Sequence, residues 1–96
     1  MNVSCIYRNV QNGNNVWTLM MGVDRNSNYI RIHNNSIGKT LYENDDVWDS
    51  DILKIARLLK KHEYSYIGLE DMLKRINREC RHLEIPTYIA HEHRVG

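Results

Sequence analysis

Two histidines near the end of the sequence have the spacing of metal ligands. His91 and His93 flank Glu92, and alternate residues of an extended chain point to the same side. Such a pair would be half of a metal site, with His33 or His82 nearby to complete it. A zinc site needs three or four ligands and hydrogen bonds that support them. A solvated polar tail explains the pair with fewer requirements, so we predict no metal and no cofactor.

A run of carboxylates has the oxygen donors that magnesium and calcium bind. The run comprises Glu43, Asp45, Asp46, Asp49 and Asp51. The run lacks the Asp-x-Asp-x-Asp-Gly order of a calcium loop. A helix that begins at about residue 50 is a simpler explanation, because the helix dipole stabilises acidic side chains near the first turn. A negative patch that docks on a basic partner is a third interpretation.

The motifs of phosphate binding and of nucleophilic catalysis are incomplete in this sequence. Gly38-Lys39-Thr40 resembles the end of a phosphate-binding loop, but His33 stands where the motif needs glycine. Cys5 falls in a strand-like run and Cys80 on an apolar helical stripe, where a thiol is a small core residue. We therefore predict that the protein is not an enzyme.

Basic side chains are the best candidates for binding a nucleic acid. They are Lys54, Arg57, Lys60, Lys61, Lys74, Arg75, Arg78 and Arg81. If two helices pair antiparallel, part of this set forms a shared face that contacts phosphates, and charge reversal at Lys60, Lys61, Arg78 and Arg81 should abolish the binding. The net charge of +1 is low for a dedicated nucleic-acid-binding protein. Nucleic-acid binding is therefore the alternative function.

Aromatic residues favour protein binding as the first function. The chain has more aromatic side chains than its helical stripes need for packing, namely Trp17, Trp48, Tyr64 and Tyr66. Tryptophan and tyrosine are common anchors of protein interfaces. Tyr64 and Tyr66 lie in the predicted loop between two helices, where side chains are often exposed. The opposite interpretation is that they close one end of the core.

Length and composition restrict the class of protein. The chain has 96 residues with 42% hydrophobic and 26% charged residues, which is typical of one globular domain over residues 1–96. Two cysteines without metal or disulfide spacing, no signal-peptide pattern and no long apolar run predict a cytoplasmic protein without a membrane segment. Asparagine is frequent in the first 35 residues, which hints at a phage or mobile-element origin.

The pattern of apolar residues predicts strands first and helices second. Strands are expected at residues 3–10, 16–23, 29–33 and 39–43, with a hairpin at Asn12-Gly13. Apolar residues on both faces of the second strand indicate a central strand, with cover on both sides as one interpretation.

Two amphipathic helices are expected after the acidic run. The first begins at about residue 50 and carries a stripe of Trp48, Ile52, Ile55, Ala56 and Leu59. The second spans residues 69–83 and ends before Pro86, and residues 87–91 read as a last short strand.

The sequence thus predicts an α+β fold in which an antiparallel β-meander of three to four strands carries two helices on one face. The expected function is a small non-enzymatic protein-binding domain that acts as an inhibitor or adaptor on a host macromolecule. Partner identity and oligomeric state stay open.

Overall fold

Four antiparallel strands form one sheet in chain order. The computed structural model describes residues 4–12, 15–23, 27–63 and 67–91, with side chains from residue 16 onward. The strands are β1 (Ser4–Asn12), β2 (Asn15–Val23), β3 (Asn28–Asn34) and β4 (Lys39–Asn44), and they pair in the order β1-β2-β3-β4. The predicted meander is therefore confirmed. Asn12 lies opposite Asn15, as the hairpin requires, although the two turn residues lie outside the described ranges.

One face of the sheet carries the core. Trp17, Leu19 and Met21 of β2 and Ile30 and Ile32 of β3 are buried, because alternate residues of a strand point to one side. The pairing of β3 with β4 shifts between Ile32 and His33. This irregularity lets two consecutive β4 residues, Leu41 and Tyr42, both pack against the core.

The opposite sheet face is not covered by the helices. Val16 on this face is 41% exposed, so cover on both sides of β2 was a wrong interpretation. The ring of Tyr29 lies over Gly22, where a Cβ atom would collide with it. Arg31 stands over the same ring at 4.3 Å from its centroid. Gly22 thus provides the space in which the aromatic side chain can lie flat on the sheet.

Two helices, α1 (Asp49–Lys61) and α2 (Leu69–Glu79), cover the apolar face of the sheet. In α1 the buried apolar side chains are Ile52, Ile55, Leu58 and Leu59, at the spacing of one helical face. The prediction that Trp48 belongs to this stripe is wrong. Trp48 precedes the first turn as the N-cap residue, outside the helical periodicity, and is 56% exposed.

The chain after α2 differs from its prediction. The helix ends at Glu79, because Cys80 leaves the helical backbone conformation at φ −108° and ψ 85°. Thr87–His91 forms a short 3-10 helix instead of a strand. Its buried residues Ile89 and Ala90 are adjacent, whereas a half-buried strand buries alternate residues. In the described part of the chain, no helix is long and apolar enough to cross a membrane.

Candidate binding surfaces

The two helices lie antiparallel, so that the start of α1 is beside the end of α2. Lys54 Nζ donates a hydrogen bond to the carbonyl oxygen of Glu79 at 3.1 Å. One turn before Lys54 in α1, the carbonyl oxygen of Asp51 lies 3.7 Å from the Cys80 thiol. This is the arrangement that a shared basic face requires.

The solvent side of the paired helices carries six cations. Residues 52–61 contain Lys54, Arg57, Lys60 and Lys61 and no carboxylate, and all four side chains are exposed. Arg75 and Arg78 are exposed on α2. Among the described residues, none of these six has a carboxylate within ion-pair distance, whereas the neighbouring Lys74 lies 3.4 Å from Glu70. We call the six residues the helical cation surface.

The four basic residues singled out from sequence do not all share one surface. Lys60, Lys61 and Arg78 belong to the helical cation surface. Arg81 follows the end of α2 and lines an open depression of about 510 Å³ with Asn77, Ile85 and Pro86 among its other walls. Tyr64 and Tyr66 lie outside the described residues, so their role stays a prediction.

The carboxylates of the acidic run have structural contacts on the sheet side of the molecule. Arg31 pairs with Glu43 at 3.0 Å and with Asp45 at 3.1 Å. Asp49 accepts a hydrogen bond from Asn28, whose amide also binds the carbonyl oxygen of Val47 at 2.9 Å. Negative charge therefore collects at β4 and the start of α1, away from the centre of the helical cation surface.

The candidate metal ligands are dispersed in the described ranges. His91 Nε2 lies 3.2 Å from a carboxylate oxygen of Glu70, and His33 lies 3.0 Å from the hydroxyl of Thr40. His93 is outside these ranges. Over the part of the chain that the structure describes, no three histidine, cysteine or acidic residues are grouped as metal ligands would be.

The end of the helix pair holds an aromatic stack that sequence reasoning missed. The rings of Trp48 and His82 lie 3.7 Å apart at an angle of 19°. Leu53, about one turn into α1, is also 56% exposed. His82 reaches Trp48 because the chain turns at Cys80, and no periodicity in the sequence indicates that turn.

Cys80 is a core residue, as the sequence predicted. Its side chain is fully buried. Burial, followed by the negative charge of Asp51, raises the pKa of the thiol to about 11. The thiol is therefore protonated at neutral pH, where the thiolate would be the nucleophile.

Asp51 is a buried acid without a hydrogen-bond partner. The residue is 1% exposed, and neither carboxyl oxygen has a hydrogen bond in the described structure. Its place in the first turn of α1 compensates for part of the cost of this burial, since the helix dipole favours negative charge there by about 0.3–1 kcal/mol. Burial of an unsatisfied polar group costs about 1–3 kcal/mol, which is more than this gain.

Asp51→Asn is therefore expected to increase the free energy of unfolding by about 1 kcal/mol, since the amide keeps the shape and removes the charge. Urea denaturation at neutral pH measures the change. Asp49→Asn is the control, because that residue is exposed and accepts a hydrogen bond from Asn28. A variant of Asp51 that unfolds more easily than the parent would contradict the expectation.

Comparison of the chain with protein-family models, with curated proteins and with solved structures finds no match.

Proposed function

We propose that this chain is a non-enzymatic binding domain that docks on another protein, with the Trp48–His82 stack as its anchor. The observation that carries the proposal is the state of Trp48. Its side chain is 56% exposed although its ring is stacked 3.7 Å from an imidazole on a different element. An indole that is held in place and left open loses little conformational freedom when a partner covers it.

The surroundings of Trp48 support a protein partner. Leu53 adds a second apolar side chain on the same end of the helix pair, and Lys54 borders it. A buried aromatic anchor with a polar rim is the usual anatomy of a protein interface. The partner would offer an apolar pocket for the indole, and the domain would act as an inhibitor or adaptor by occupying that pocket.

The proposed site of action is the cytoplasm. Cys80 is a free thiol inside the core, and such thiols are typical of proteins that fold in reducing compartments.

Trp48→Ala is expected to weaken capture of the partner by at least about 2 kcal/mol, the size of an interface hot spot. The tagged chain would be used to isolate a stoichiometric partner from nuclease-treated lysate, and the affinity of each variant for that partner would then be measured. Tyr88→Ala is the matched control, because Tyr88 is 66% exposed on the 3-10 helix. Circular dichroism would verify that both variants fold.

Equal capture by the Trp48 and Tyr88 variants would contradict the proposed anchor. A Tyr64→Ala/Tyr66→Ala variant tests the loop predicted from sequence in the same assay. Loss of binding in that variant alone would move the interface to the loop between the helices.

A further inference from the structure

We propose that the helical cation surface binds the phosphate backbone of double-stranded nucleic acid without regard to base sequence. This inference goes beyond the protein-docking function, because it concerns the solvent side of the helices and does not require the Trp48–His82 stack. It begins from the six cations that lack a carboxylate partner in the described structure.

The cations on α1 repel one another along the helix, although Lys60 and Lys61 in the last turn complement the helix dipole. Lys54 and Arg57, and likewise Arg57 and Lys60 or Lys61, are three or four residues apart, the spacing at which like charges repel on a helix. Two other cations of the described structure are paired, Arg31 with Glu43 and Lys74 with Glu70. The unpaired charges on α1 are thus available for an external anion.

The placement of the cations suits an extended ligand. Lys54 and Lys61 are two helical turns apart and lie on the same flank of α1, about 10 Å from each other along the axis. Lys54 contacts the end of α2, so this flank faces α2. Arg75 and Arg78 continue the positive charge onto that second helix. A duplex presents phosphates continuously along its axis, and such a row of cations can contact several of them at once.

Positive and negative side chains lie on different parts of the surface. The helical cation surface can therefore attract a phosphate backbone although the net charge of the chain is only +1. Glu43 of β4 and Asp45, which follows that strand, form ion pairs with Arg31 on the sheet side. Asp71 and Glu79 are the exposed acids of α2, and neither has an ion pair with the six cations in the described structure. The attraction is therefore strongest at α1, where residues 52–61 carry four cations and no carboxylate, and weaker at α2, where Asp71 and Glu79 are exposed.

The side chains on the surface favour a duplex over a single strand and over a protein. Binding of single strands depends on aromatic side chains that stack on bases, and the helical cation surface contains none. A protein interface needs an apolar centre, whereas the exposed side chains of α1 from residue 53 to residue 61 are four cations and one leucine, Leu53. All six side chains are lysine or arginine, whose contacts with phosphates release counterions and position a protein on the duplex, so we assign the contacts to the backbone.

Binding of a fluorescein-labelled DNA duplex of random sequence by the full chain tests the proposal. Fluorescence anisotropy would be followed across a salt titration. Contacts with four to six phosphates predict a slope of log K against log salt of about −3.6 to −5.4. Arg57→Glu is expected to weaken binding at low salt by about tenfold, since it removes one contact and adds repulsion. Replacing Lys54, Arg57 and Arg78 together with glutamine should remove measurable binding.

Lys39→Glu is the matched control, because Lys39 is exposed on β4 and the change in net charge is identical. It should bind the duplex like the parent, as should Trp48→Ala, which separates this inference from the protein-docking function. Three outcomes would overturn the proposal: no duplex binding at low salt, equal losses for Arg57→Glu and Lys39→Glu, or displacement of the duplex by polyglutamate at equal charge concentration.

Discussion

Trp17→Ala is expected to lower the free energy of unfolding by about 3–5 kcal/mol, which is a large part of the stability of a domain of this size. Trp17 is fully buried on β2, a central strand, and lies opposite Val10 of β1 and Asn34 of β3. Its removal leaves a cavity in the core cluster to which Trp17 belongs. Urea denaturation followed by far-ultraviolet circular dichroism measures the loss.

Two controls determine whether the effect comes from packing. Trp48→Ala removes the same side chain from an exposed position and is expected to change the free energy of unfolding by less than about 1 kcal/mol. Trp17→Phe should cost less than Trp17→Ala, because the indole nitrogen has no hydrogen-bond partner in the described structure. Similar losses for Trp17→Ala and Trp48→Ala would show that burial does not decide the result.

Asn77→Ala is expected to cost about 2–3 kcal/mol and to release the chain after residue 84. The amide of Asn77 binds both polar backbone groups of one residue: Oδ1 accepts from the Ile85 N–H at 2.9 Å, and Nδ2 donates to the Ile85 carbonyl at 2.8 Å. Ile85 is 2% exposed, so water does not readily replace the lost partners. A buried group without its hydrogen bond costs about 1–3 kcal/mol.

Hydrogen exchange measured by mass spectrometry would locate the change. Faster exchange is expected at residues 85–91, and little change is expected in the sheet. Asn35→Ala is the control, since its amide makes an exposed hydrogen bond to the hydroxyl of Thr18 at 2.8 Å. Asn77→Asp keeps the acceptor and loses the donor, so an intermediate effect is expected. Unchanged exchange at residues 85–91 in Asn77→Ala would refute this role for the side chain.

Several asparagines have structural roles that composition alone did not show. Asn34 accepts hydrogen bonds from the N–H groups of Ser36 and Ile37 and so forms the turn that leads to Gly38, which has a φ of +64°. Asn28 ties β3 to the start of α1. The hint of a phage or mobile-element origin rested on asparagine content, and these contacts give part of that content a physical reason.

Local patterns in the sequence predicted a meander of three to four strands and two helices packed on one of its faces. These features repeat with the period of a strand or a helix, so the residues that define them are close together along the chain. The basic residues on the helices were also visible as candidates. The sequence did not show that Arg81 lies at a depression while Lys60, Lys61 and Arg78 lie on the helical cation surface. That difference depends on where α2 ends.

Only the tertiary structure decided the state of the residues at the ends of elements. Sequence placed Trp48 on the apolar stripe, and the fold leaves it outside the helix, stacked on a histidine that lies 34 residues further along. The tertiary structure also decided that the carboxyl group of Asp51 has no hydrogen bond and that Asn77 binds Ile85. Such states depend on contacts between segments that are distant in sequence, and periodicity carries information only about neighbours along one element.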